Sequence, residues 1–485
     1  MGLPSTGVWE VRSTGADTNG GGFDSAASGT DYSQQAAAQF SGTDLASANG
    51  TTNPSVVTSA SHNFVATDVG NFIQVTAGTN WSTGFYEIVS VAANAATLDR
   101  AVGTSAALSN GTWAEGGALA TPNKAITSMV DGNKTWIQLA TYSRTTTISI
   151  PNTSGNYGVE GYQTARGDGP AGSNRPVITS ATNSVTLMTY PTNATWYFKN
   201  LIFSHTAATR GHGFDQTNSG YSPSYFFYNC KFSGCKDAVH SGTSITWDPL
   251  YFENCEIASS TNIGIEFAGS GSALLHLVDS IIHDSTSDGV HMQSNVLTLV
   301  VERSIFYKNG GSGITIAASG GNVYGEISNS AFASNTADGF TCSVNNAGIN
   351  MLAVQNTIFD SNGGWGININ LIPTPRFIRT LNCAYNNNTS GSHQWAAGPN
   401  AEAIGDIGLT GSPFNNPGSG DFSLNTTPGA GGACVQAGFP GSLAYGGSGT
   451  LDVGPLQSAG SVINTTNVFV NQRRTIYVQQ EGTLE

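Results

Sequence analysis

The chain has 485 residues, of which only 10% are charged and 61 are glycine, and its formal net charge is -14 from 17 basic and 31 acidic side chains. A chain this acidic repels a phosphate backbone, which argues against nucleic-acid partners, and no apolar run approaches the length of a membrane-spanning helix, which argues against membrane insertion. Length alone would allow two or three domains, but a repeating chain grows without needing separate cores.

Residues 1–50 read as a lead-in and attachment segment. They begin Met-Gly-Leu-Pro-Ser-Thr-Gly-Val-Trp, with neither the basic stretch nor the apolar stretch of a secretory signal. Either a secretory signal has been removed from this sequence, or the protein leaves its cell by another route, of which a virus particle released by lysis is the simplest. Residues 51–117 hold short β-type runs, Val56-Val-Thr-Ser, Phe72-Ile-Gln-Val75, Phe85-Tyr-Glu-Ile-Val-Ser-Val91 and Ala96-Thr-Leu98, separated by turn residues. They predict a small β-barrel or sandwich inserted before the main element.

That element, expected over 118–400, is a repeat. Asn200, Asn229, Asn254, Asp279, Arg303, Asn329, Asn356 and Asn382 occupy one position of a unit of about 25 residues. A small residue followed by an apolar one recurs at Gly213-Phe214, Ala238-Val239, Gly264-Ile265, Gly289-Val290, Gly313-Ile314, Gly339-Phe340 and Gly366-Ile367. The apolar residues alternate, as in Gly-Ile314-Thr-Ile316, so the period is 2 and the elements are strands. Three short strands per unit predict rungs stacked at roughly 4.8 Å. Asn309, Asn335, Asn362 and Asn388 each fall six residues after the Asn-like position, which predicts a ladder of stacked asparagines at a left-handed corner.

Of the six cysteines, Cys230, Cys255 and Cys383 share one register with Ser280, Ser304, Ser330 and Thr357. They are expected as small packing residues in a column rather than as disulfides, because adjacent strands disfavour that geometry. Residues 401–460, rich in Gly, Pro and Ala, are expected to wrap the end of the repeat as irregular coils. Residues 461–485, with strand-like Val468-Phe-Val470 and Thr475-Ile-Tyr-Val478, are expected to pair with a neighbouring subunit or another protein.

These features resemble the right-handed parallel β-helix proteins of the pectate-lyase-like superfamily. Val8-Trp-Glu-Val-Arg-Ser-Thr-Gly-Ala-Asp-Thr-Asn-Gly-Gly-Gly-Phe23 is similar to the family's lead-in, Thr121-Pro-Asn-Lys-Ala-Ile126 to its capping helix, and Asp421-Phe-Ser-Leu424 with Leu451-Asp-Val-Gly454 to its closing segment. The resemblance implies an all-β, single-stranded parallel solenoid and says little about activity. His62-Asn-Phe-Val-Ala-Thr-Asp-Val-Gly-Asn-Phe-Ile73 resembles modules of bacteriophage tail and other virion proteins.

Chemistry is sought on outward strand positions. Two residues after the small residue the row reads Asp215, His240, Glu266, His291, Thr315, Thr341, Asn368; one residue before it, His212, Asp237, Ile263, Asp288, Ser312, Asp338, Trp365. Carboxylates two rungs apart would stand roughly 9 to 10 Å apart, near the spacing of an inverting glycosidase with water between its two acids. Asp215, Glu266, Asp237 and Asp288 are therefore the catalytic candidates, and His240, His291 and Trp365 the ligand-binding ones. Rung spacing is long for direct shared metal ligation, so neither metal nor other cofactor is expected. A solvated polar face explains the same rows. Two functions follow: a bacteriophage spike or surface decoration on the virion, expected as a homotrimer that contacts other virion proteins through its N-terminal module and C-terminal tail and meets host or environmental glycans; or a polysaccharide-degrading hydrolase or lyase, free and secreted or carried as a tailspike.

Overall fold

The computed structural model describes residues 3–456 apart from 152–153, 190–192, 217–222, 243–248, 270–271, 294–295, 318–322, 346–348, 373–376, 396–400 and 439–451. Residues 461–485, with their expected pairing strands, lie outside the described residues.

Three sheets of 13, 11 and 10 strands build the solenoid, parallel throughout except where Gly22–Asp24 joins the edge of the first sheet antiparallel to Gly7–Val11. One rung runs through Ala194–Lys199 in the first sheet, Ile202–His205 in the second and Phe214–Gln216 in the third. The next rung lays Ser224–Tyr228, Lys231–Ser233 and Val239–Ser241 on them in parallel register. Alternation along each strand turns one side chain in and the next out, and the inward set makes one continuous core. Inside, like residues stack: Phe198, Phe227 and Phe252 form one column with centroids 5.3 and 4.9 Å apart, and Phe306, Phe332 and Phe359 another at 4.7 and 5.0 Å.

The corners follow the repeat. Every residue of the Asn-like column, from Asn200 (φ 59°) to Asn382 (φ 49°), is left-handed, which Asn tolerates better than most residues. Arg303, less suited to that backbone, donates two hydrogen bonds to Asp279 of the preceding rung, at 2.7 and 2.8 Å. The asparagine ladder is present at the second corner. Asn309 donates to Asn335 at 3.0 Å, Asn335 to Asn362 at 2.9 Å, and Asn362 to Asn388 at 2.8 Å. The left-handed residues there are Lys308, Ser334, Ser361 and Asn387, one position before the ladder. The expected coincidence of ladder and left-handed backbone is thus corrected: the preceding residue makes the bend, which leaves the Asn side chain free to point inward.

The Cys/Ser column has a second task. Cys255 Sγ and the hydroxyls of Ser280, Ser304 and Ser330 each accept the backbone N–H of the preceding rung's counterpart, at 3.5, 3.2, 3.2 and 3.2 Å. Buried donors that the strand ladders miss are satisfied in this way. All six cysteines are buried and free.

At the N-terminal end Gly7–Val11 extends the first sheet beside Lys134–Gln138, and the helix Pro122–Ile126, capped by Thr121, closes the core. Between them a closed six-stranded barrel runs from Phe40–Ser47 to Leu108–Glu115, so its first strand lies within the stretch expected as lead-in. Trp9 of the solenoid meets barrel residues Phe72 and Phe85 edge to face at 5.1 and 4.8 Å, which docks one unit on the other. At the other end, Phe414, Phe422, Cys434 and Val453 pack on Ile305, Ala331, Ala333, Ile358 and Ala384. These are outward positions of the second sheet, so the irregular segment runs along the flank of the solenoid instead of wrapping its end.

Candidate functional site

The outer face of the third sheet carries the first polar row in the expected register. Asp215 pairs with His240, His240 with Glu266, Glu266 with His291, and the row continues through Thr315 to Asn368. Each side chain is half-buried because its rung neighbours flank it above and below.

Asp215, His240 and Glu266 form one unit. His240 Nδ1 lies 2.7 Å from Asp215 Oδ1, and its Nε2 3.6 Å from Glu266 Oε2. The imidazole therefore stands between the two carboxylates, in the space where the sequence placed a water. Burial works to lower the His240 pKa. The hydrogen bond to Asp215 and the charges of Asp215, Glu266 and Asp237 outweigh it and hold the imidazole above its ordinary value. The two carboxylates thus favour the protonated form of the imidazole between them.

His212, from the second row, joins this unit by stacking on His240 with ring centroids 4.4 Å apart. Its Nδ1 is 2.8 Å from Asp237 Oδ2, a close ion contact whose alignment falls short of a hydrogen bond. Asp237 itself is fully buried and accepts from Asn262 Nδ2 at 2.9 Å and Ile263 N at 2.8 Å. Asp288 repeats the pattern one pair onward, accepting from Ser312 N at 2.7 Å and contacting His291 Nδ1 at 3.0 Å. Asp338 accepts from Trp365 N at 2.6 Å. The second row is thus a column of corner carboxylates, each holding a backbone N–H of the next rung. Asp237 and Asp288 orient the histidines from behind.

Trp365 stands three rungs beyond Asp288, on the order of 14 Å at rung spacing, with its ring over Gly391. It lies apart from the acid–base unit. The nearest ligand atoms of His212, Asp215 and His240 lie within 4.8 Å of one another, near enough to share a cation. His240 Nδ1 is already taken up by Asp215, and His212 Nδ1 faces Asp237.

A feature missed at the sequence level lies on the first sheet. Tyr197, Phe226, Tyr251 and His276 are neighbours in register on its outer face. Tyr197 and Phe226 stack at 5.0 Å, and Tyr251 meets His276 edge-on at 4.8 Å. Aligning the outward positions of this strand would have found the column. On the second sheet Lys231, Glu256 and His283 form a charge chain, and the His283 hydrogen bond first, then Lys231, holds the Glu256 carboxyl down at about 2 against the effect of burial.

Residues 212–389 match the family described as right handed beta helix region, and the fold is a right-handed parallel β-helix. No curated protein matches the chain. Among solved structures it is similar to the pectate lyase Pel9A (16% identity over 70% of this chain and 92% of that one, TM-score 0.41), to the periplasmic alginate epimerase AlgG (11%, 57% and 77%, TM-score 0.34) and to the A-module of the mannuronan C-5 epimerase AlgE6 from Azotobacter vinelandii (11%, 59% and 93%, TM-score 0.30).

Proposed function

We propose that this protein acts on a polysaccharide lying along the outer face of the third sheet, with Asp215, His240 and Glu266 as its acid–base centre. The observation that supports this most is the concentration of charge. In a chain that is only 10% charged, three of the eight histidines and four carboxylates gather on neighbouring rungs of one open face. A solvated face would need no His240 clamped between two acids. The long polar ridge suits an extended, hydroxyl-rich chain better than a compact small molecule. In this reading the protonated His240 gives its proton to the glycosidic oxygen as the C–O bond breaks, while Asp215 or Glu266 takes a proton from the water that attacks the anomeric carbon, or from the sugar carbon in an elimination. Asp237 and Asp288 act through His212 and His291 as positioning residues.

The test is incubation with capsular and cell-wall glycans, followed by assay for new reducing ends or unsaturated products. Asp215→Asn and Glu266→Gln should each lower turnover by about 100-fold or more while the chain stays folded at the assay temperature. Wild-type protein that yields no product from any glycan, or variants as active as wild type, would overturn it.

The closed barrel docked at the N-terminal end favours a second reading, a bacteriophage spike or decoration protein anchored through that module. The two readings are compatible in a tailspike. Light scattering that gives three chain masses would support it, and a monomer at micromolar concentration would speak against it.

A further inference from the structure

Inside the barrel, far from the polar rows in sequence, three ligating side chains converge. His62 follows the second strand, Asp68 ends the short turn Ala66–Asp68, and Glu115 closes the last strand between Phe40 and Ile73 of its neighbours. Asp68 and Glu115 are both 0% exposed. Asp68 Oδ2 lies 2.8 Å from His62 Nε2 and accepts from Val65 N at 2.9 Å. Its Oδ1, and both carboxylate oxygens of Glu115, have no hydrogen-bond partner. Among the described residues no Lys or Arg reaches either carboxylate. The walls are apolar: Phe40 stacks on the His62 ring at 3.6 Å, and Phe64 meets it edge-on at 4.9 Å.

Two acids buried in such a place, with three orphaned oxygens and one imidazole, are out of balance, since a buried carboxylate needs a cation or a full set of donors. The separations straddle the spacing that a shared ion would set. Ligand atoms bound at about 2.0 to 2.2 Å to one tetrahedral centre sit roughly 3.3 to 3.6 Å from each other. Here His62 Nε2 is 2.8 Å from Asp68 Oδ2 and 4.0 Å from Glu115 Oε2, and all three ligand atoms lie within 4.8 Å of one another. We propose that His62, Asp68 and Glu115 bind a divalent transition cation, Zn²⁺ or Mn²⁺, as a structural site of the barrel. One imidazole nitrogen and two carboxylates suit these ions, whereas Ca²⁺ takes six to eight oxygens. The ion ties the 62–68 loop to the last strand and so locks the barrel shut.

The test uses the full chain, stripped with a chelator and dialysed, then titrated with Zn²⁺ and with Mn²⁺ by calorimetry while the melting temperature is followed. Wild type should bind one of these ions and melt higher with it. Glu115→Gln, which keeps the side-chain volume, should weaken binding by at least about 10-fold and abolish the shift in melting, and His62→Gln should do the same if the first variant fails to fold. Asp215→Asn, in the other cluster, should bind as wild type does. Wild type that takes up neither ion, or Glu115→Gln and His62→Gln variants that bind with wild-type affinity, would overturn the proposal. Neither result touches the polysaccharide reading, which rests on the third sheet.

Discussion

His240 shows what a single residue gains from its rung neighbours. A free imidazole titrates near 6.5, and burial alone would push that lower; one well-placed carboxylate and the field of two others reverse the sign. The folded state then binds the proton more tightly than the unfolded chain does. The stabilisation is fully present below pH 6.5 and is lost as the pH rises through the raised value. The melting temperature of wild type should therefore exceed that of Asp215→Asn most at mildly acidic pH, and the gap should narrow as the pH climbs; a gap that does not change with pH would contradict the pairing. Glu87 supplies the opposite chemistry with the same sign. Burial first, then the charges of Asp24 and Asp99, raise its carboxyl to about 8, so the folded state keeps a proton that the unfolded state loses above about 4.5. Stability falls as pH rises from there to about 8, and Glu87→Gln should flatten that part of the profile in thermal melts. The row through Asp215, His240 and Glu266 was legible in the sequence because counting by two along a strand places outward residues reliably. The burial of Asp237 was not, because it sits at a corner where that count breaks and a backbone N–H, not water, meets the side chain.

At the scale of elements, the rungs were legible because every one needs the same corner. A left-handed residue, a small side chain to accept a neighbour's N–H and an Asn to fill the bend leave fixed marks at fixed spacing. The ladder carries real stability. Asn335 donates to Phe306 O at 3.1 Å and to Asn362, and accepts from Asn309, so Asn335→Ala orphans several buried groups at once. At about 1 to 3 kcal/mol for each buried group left unpaired, a loss of roughly 2 to 4 kcal/mol is expected in urea unfolding. A loss under about 0.5 kcal/mol, the size of an ordinary surface change, would mean the ladder is ornamental. The first barrel strand escaped notice because Phe40-Ser-Gly-Thr-Asp-Leu-Ala-Ser has only two strongly apolar residues and no clean alternation. The cluster of His62, Asp68 and Glu115 was equally hidden, since 53 residues separate its ends and only closure of the barrel brings them together. The aromatic column of the first sheet was open to the same alignment that exposed the polar rows, and it shows that an outward face is not always a polar one.

As a whole molecule the protein is a stiff rod of stacked rungs with a barrel docked at one end and an irregular segment laid along one flank. The rod fixes the spacing of anything placed on it, which is why three residues from three rungs can hold a proton between them without a loop to position them. The flank segment covers apolar outward positions of the second sheet that would otherwise face water. Phe422, 1% exposed against Phe414 and Tyr307, anchors it. Phe422→Ala should cost about 3 to 5 kcal/mol if it is held as tightly as a core ring, and a proteolysis assay should then release the segment while the rungs stay intact; unchanged resistance would show that the cover is held elsewhere. Among the described residues the flank segment packs on the second sheet and not on the third, and the central claim concerns the outer face of the third sheet. A crystal structure of the full chain with a bound oligosaccharide tests it most directly. The account predicts a sugar oxygen within hydrogen-bond distance of His240, with Asp215 and Glu266 on either side. A sugar seated on Tyr197, Phe226 and Tyr251 with the third sheet bare would contradict it.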